Sequence, residues 1–243
     1  MAGAKGNAAA KGRLAYDCPQ TLICASRFGS LIMASEIDGN DPIQSDADIA
    51  MMRRCIHLSA TSAQLGELPF AALLCKDGDI IVESTNRVVE SADITHHAEL
   101  AAISEAQKIL GRADLSGCTL YSIVEPCAMC SFAVRETSIG RVVFSISSPI
   151  MGGLSKWNVL RDVELSHALP EVFGPVPEVI VGLLQEEAEK VWQAWNPVYW
   201  AVIKNRGYLG RTAASSGPEH LDAIPDSRSF LRRLFALHKN HPA

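Results

Sequence analysis

His97-Ala98-Glu99 and, 27 residues beyond Glu99, Pro126-Cys127-Ala128-Met129-Cys130 supply the residue types that carry out metal-assisted hydrolysis. One imidazole and two thiolates form a soft three-ligand set suited to Zn²⁺. The fourth tetrahedral position is left to water, as in a catalytic rather than a structural zinc site. His97, Cys127 and Cys130 are therefore the candidate metal ligands and Zn²⁺ the candidate cofactor. Zinc lowers the pKa of its water toward neutrality, so hydroxide becomes available as a nucleophile at ordinary pH. Glu99 is the free carboxylate beside it, placed to carry protons between that water and a substrate. Cys127 and Cys130 are three apart, so in the first turn of a helix they share one face, and the positive helix end favours their thiolates. Pro126 just ahead of them fixes the strand-to-helix turn, where a missing N–H costs nothing.

Each half of this pattern is ambiguous alone. A C-x-x-C fits a redox pair or half of a structural zinc site, and His-x-Glu by itself specifies little. Together, in this order, with Pro before the first Cys and each at the start of a predicted helix, they point to catalysis. His96 is the nearest fourth ligand, but a residue adjacent to His97 points elsewhere and reads as a polar helix-start or outer-support residue. Cys118 falls in a strand pattern and reads as core.

Hydrophobic periodicity supplies the elements that must hold these groups. Ser45 caps a helix whose Ile49, Met52, Ile56 and Ala60 share a face. A hairpin follows, 69–75 and 79–84, turning at Lys76-Asp77-Gly78. The second helix opens at His97 and Glu99, buries Leu100, Ile103 and Leu110, and stops at Gly111. Strands are expected at 118–124, 141–147 and 178–184, with a helix from Pro126 toward Ser138 and another through Glu186, Glu189 and Trp192. Residues 148–177 are too many for a tight hairpin, so the fifth strand should run parallel to the fourth after a crossover.

The 243 residues can bury one good core, and no run of about 18 apolar residues is present to span a membrane. Seven cysteines without a secretory apolar segment favour a reducing compartment, the cytoplasm. Residues 1–45, rich in Ala, Gly, Ser and Lys, read as a mostly disordered extension, 46–206 as the catalytic domain and 207–243 as a tail. Met33-Ala34-Ser35 resembles an ordinary translation start, with a transit peptide as the alternative for the preceding residues. In the tail, Arg228, Arg232, Arg233 and Lys239 lie along an amphipathic helix with Phe230, Leu231, Leu234 and Phe235, read as a packing or oligomer contact.

H-x-E…P-C-x-x-C is the signature of zinc deaminases, and over about 46–206 the chain resembles the cytidine and deoxycytidylate deaminase superfamily. The likeness is greatest to the arm holding tRNA adenosine deaminases, guanine deaminases and yeast-type cytosine deaminases. Its marks are Leu68-Pro69-Phe70-Ala71-Ala72, Thr85-Asn86-Arg87, Asp93-Ile94-Thr95-His96-His97-Ala98-Glu99, Glu125-Pro126-Cys127-Ala128-Met129-Cys130 and Ile139-Gly140-Arg141-Val142-Val143-Phe144. The resemblance implies an α/β fold, a three-layer α/β/α sandwich on a five-stranded mixed sheet, with dimers or tetramers, here a homodimer. It also implies that Asn86 contacts the substrate base and that the Ala98 amide meets its ring edge. On turn chemistry alone, Asn86 is a strand-end turn residue.

Two departures bear on pocket shape: Ala71 replaces a usual Gly, and Phe132 stands where a small residue commonly follows the second Cys. Segment 150–160 matches no substrate signature. There Gly152 and Gly153 allow a bend, and Trp157 either covers a planar base or packs as a plain core residue. Charge separates the substrates: all 27 acidic residues but only 15 of the 22 basic ones lie between 14 and 227, leaving that body at −12. Nucleic-acid binders draw much of their affinity from phosphate neutralisation. The favoured substrate is a nucleobase or nucleoside, with tRNA disfavoured. The alternatives are a tRNA adenosine deaminase and a non-catalytic zinc-bearing partner subunit; Glu99 argues against the last, since a scaffold needs no proton carrier.

Overall fold

Five strands form one mixed sheet in the order β2-β1-β3-β4-β5. The computed structural model describes residues 45–210; the expectations for the N-terminal extension, its start site and the C-terminal amphipathic helix lie outside them. β1 (Ala71–Lys76) and β2 (Asp79–Thr85) make the expected hairpin. Its two central residues, Asp77 and Gly78, have φ of 52° and 89°, the doubly left-handed turn that matches strand twist. β3 (Cys118–Val124) pairs antiparallel with β1, and β4 (Arg141–Ile146) runs parallel to β3. β5 (Glu178–Val181) is parallel to β4, as the long crossover required, but ends three residues early because Gly182 and Leu184 turn the chain through positive φ.

Helices cover both faces. α1 (Asp46–Gln64), α6 (Gln185–Trp195) and α7 (Pro197–Asn205) pack one side around Met52, Cys55, Leu73, Tyr121, Val143 and Trp192. α3 (Ala98–Leu110) and α4 (Ala128–Glu136) pack the other around Leu74, Ile103, Leu120, Val134 and Phe144. Adjacent strand residues such as Leu73 and Leu74 thus serve opposite layers, which is why the central strands are buried almost throughout. The short α2 (Val88–Ser91) and α5 (Val163–Ala168), and α7, were not anticipated, although Asn196-Pro197 is a recognisable helix start.

Three local expectations need correction. α3 buries Ala102, Ile103 and Ala106, while Leu100 and Leu110 are only half-buried, because small residues let the helix lie close to the sheet. On α1, Met52 and Ile56 are buried with Cys55, and Ile49 and Ala60 lie at the margin. α4 begins not at Pro126 but with Cys127 as its N-cap.

One polar cluster ties α1 to the sheet. Asp48, 1% exposed, completes a capping box with Ser45 and accepts hydrogen bonds from Tyr121 Oη at 2.7 Å and Arg141 Nη2 at 2.9 Å. The Arg141 guanidinium holds its carboxyl well below the usual carboxylate range. Asp48→Asn should therefore cost on the order of 1–3 kcal/mol near neutrality, since Arg141 loses its buried partner and keeps only the exposed Glu178 carboxylate, 3.1 Å from its Nε. Because the folded pKa is depressed, this stabilisation is fully present above the unfolded value of about 3.9 and lost as pH falls below it. Denaturant titrations at pH 7 and pH 3 should show the gap between wild type and variant narrowing in acid; a pH-independent gap would contradict the assignment.

Candidate active site

The two helix N-termini converge at the C-terminal end of β3, the position where open α/β sheets bind ligands. His97 is the N-cap of α3, Cys127 the N-cap of α4, and Cys130 follows one turn later. Cys127 Sγ lies 3.6 Å and Cys130 Sγ 3.5 Å from His97 Nδ1, and the two sulfurs are 3.5 Å apart. Zn–S and Zn–N bonds in a tetrahedron demand ligand separations of about 3.5–3.8 Å, so the triangle fits zinc. The Cys130 thiol hydrogen-bonded to Cys127 holds the latter's pKa down to about 4 despite burial, with His97 adding to the effect. The same bond and burial push Cys130 up. Metal binding at the triad would require both thiols in their deprotonated form. His96 is exposed and engaged with Ser91 Oγ at 2.6 Å, away from the triad, while Cys118 is buried in β3. His97, Cys127 and Cys130 form the one potential metal-ligand group found among the described residues.

Glu99 stands two residues beyond His97, 6% exposed, and burial raises its carboxyl pKa above the ordinary value. Ser122 Oγ lies 3.1 Å from its Oε1. A cavity opens between Glu99, His97, Cys127 and Asn86. Asn86, 4% exposed, leaves Nδ2 without a hydrogen-bond partner, an unmet donor beside a ligand-sized space. Ala98 is buried at the first position of α3, where the backbone N–H has no intrahelical acceptor, but it is not among the cavity-lining residues.

Trp157 is not the plain core residue that one of its two readings expected. It is 57% exposed and lies outside the cavity lining, because the turn from Gly152, closed by Lys156 N and Trp157 N donating to Gly152 O, carries it to the surface. Phe132, 41% exposed, packs edge-on against Phe173, and Ala71 belongs to the α1 core; neither narrows the cavity.

Sequence reasoning missed Glu125. Buried beside Pro126, its carboxylate accepts from Ser148 N at 2.7 Å, Leu154 N at 3.0 Å, Ser155 N at 2.6 Å and Ser155 Oγ at 2.7 Å, clamping the 148–155 loop to the metal-ligand turn. Gly152 and Gly153 serve this contact through close approach rather than positive φ. A Cβ at Gly152 would collide with the Glu125 carboxylate, and one at Gly153 with the Ser131 hydroxyl. The clamped loop contributes Ser148 and Met151 to the cavity wall. Trp192, Ile203 and Leu209 supply a further, apolar part of the wall, from α6, α7 and the turn beyond; distant in sequence, they carry no local signal.

Residues 45–146 match the family model described as the cytidine and deoxycytidylate deaminase zinc-binding region. The chain is 40% identical over 114 residues to the tRNA-specific adenosine deaminase of Aquifex aeolicus, spanning 46% of this chain and 76% of that protein. It is 33% identical over 129 residues to the probable cytosine deaminase of Schizosaccharomyces pombe, spanning 53% and 74%. A structure solved in a study of A-to-I editing by tRNA:A34 deaminases superposes with a TM-score of 0.53 at 29% identity, covering 58% of this chain and 98% of that one. A protein solved in complex with 8-azaguanine gives a TM-score of 0.50 at 27% identity, covering 62% and 85%. Zinc-ligand geometry, sheet topology and these likenesses agree, and the chain belongs to the zinc-dependent cytidine and deoxycytidylate deaminase family of hydrolases.

Proposed function

We propose that this deaminase acts on a free nucleobase or nucleoside, exchanging a ring amino group for a carbonyl with consumption of water and release of ammonia. The observation that carries this reading is the cavity wall. Among the described residues it contains no Lys or Arg, and Phe70, Trp192, Ile203 and Leu209 give it large apolar surfaces suited to a flat ring rather than to phosphates.

In this reading His97, Cys127 and Cys130 hold zinc, which supplies an acidified water when bound. Glu99 would take one proton from the attacking water and deliver it to a ring nitrogen as the C–O bond forms; it would then take the remaining proton from the added hydroxyl and deliver it to the amino nitrogen, so that the C–N bond breaks and ammonia leaves as the carbonyl forms. Asn86 Nδ2 donates to an acceptor on the base, and the Ala98 N–H meets the ring edge. The catalytic domain spans 46–206.

The second reading, a tRNA adenosine deaminase, draws support from the likeness to the tRNA-specific adenosine deaminases of Aquifex aeolicus and Haemophilus influenzae. A direct competition separates the two. Given cytosine, guanine, adenine, their nucleosides and tRNA together, the enzyme should release ammonia from a small substrate at a rate that depends little on salt. Inosine forming in tRNA while every small substrate survives, with activity falling steeply as salt rises, would install the second reading.

A further inference from the structure

Ser122 touches Glu99 and has no part in the scheme above. It lies on β3, 2% exposed, on the sheet face it shares with Ala72 and Phe144 in an otherwise apolar layer. Its Oγ is 3.1 Å from Glu99 Oε1 and 2.7 Å from the carbonyl oxygen of Val124. A hydroxyl has one proton and two lone pairs, so it cannot donate to both oxygens at once. Val124 O is within reach of the hydroxyl without Glu99, yet Oγ is also set at hydrogen-bond distance from the one carboxyl that reaches the metal triad from α3.

We infer that Ser122 is a positioning residue that holds the Glu99 carboxyl in place beside the metal triad. The inference rests on the reading of Glu99 as the proton carrier. It does not depend on which substrate is used. Were Ser122 merely a buried hydroxyl satisfied by Val124, the bond to Glu99 would be incidental and its loss would not change turnover selectively.

The test compares zinc-loaded wild type, Ser122→Ala and Ser122→Thr as full chains. Ammonia release is followed on cytosine, guanine, adenine, their nucleosides and an adenosine-containing tRNA anticodon stem, and crystal structures report the Glu99 side chain. Ser122→Ala should bind zinc as wild type does, lose roughly 10- to 100-fold in kcat with KM little changed, and show Glu99 displaced. Ser122→Thr restores the hydroxyl on a strand-compatible side chain, so it should recover most of kcat and return Glu99 to its place. Wild-type kcat in Ser122→Ala with Glu99 unmoved would overturn the inference. So would loss of zinc in that variant, a change confined to KM, or a folded, zinc-loaded Ser122→Thr as slow as Ser122→Ala. Turnover of the tRNA stem alone would overturn the small-substrate reading and leave the role of Ser122 standing.

Discussion

Glu99→Gln should lower turnover by about 10²- to 10⁴-fold while leaving zinc content unchanged, because the amide keeps the shape of the side chain but cannot carry the proton. Gln can still accept from Ser122 Oγ, so the local packing survives. Burial already disfavours the charged form at this position, and a neutral amide removes that penalty, so global stability should not fall. Steady-state kinetics paired with metal analysis on the same preparation make the check. Comparable turnover at full zinc occupancy would move the proton carrier to another group.

Cys127→Ala and Cys130→Ala should each remove both metal and activity. Either substitution leaves two protein ligands from a triad whose members lie 3.5–3.6 Å apart, too few to hold an open tetrahedral site tightly. The two variants should differ in stability. Cys130 is fully buried, so its truncation also opens a small cavity, whereas Cys127 borders the cavity that already exists. Metal analysis after gel filtration without chelator gives the result, with ammonia release expected at background. A variant that retained one zinc per chain would show that the metal is held by other groups.

The legible parts of this protein were those whose signal is local. His97, Cys127 and Cys130 announced themselves because helix geometry ties spacing to a shared face, and the turn at Asp77-Gly78 because few residues accept two successive positive φ values. β3 appeared with the expected bounds, and the parallel β5 followed from the length of its crossover. What stayed hidden depends on partners far away in the chain. Glu125 reads as a residue before Pro126 until the 148–155 loop folds onto it, and Gly152 and Gly153 read as hinges until their neighbours exclude a Cβ. Trp157 lies at the surface because of the turn at Gly152, a contact its own sequence neighbourhood does not specify, while Trp192 lines the cavity from α6 with no local signal to mark it. Ser122 belongs to no motif; its role comes from one contact between β3 and α3.

Ammonia release in this protein depends on one open zinc site held by His97, Cys127 and Cys130. Chelator-stripped protein titrated with Zn²⁺, with ammonia followed over the panel of bases, nucleosides and tRNA, tests that most directly. Activity should be absent at the start, rise in proportion to added metal, and break sharply at one zinc per chain. Full activity in the stripped protein, or a fully zinc-loaded protein that releases no ammonia from any member of the panel, would contradict it.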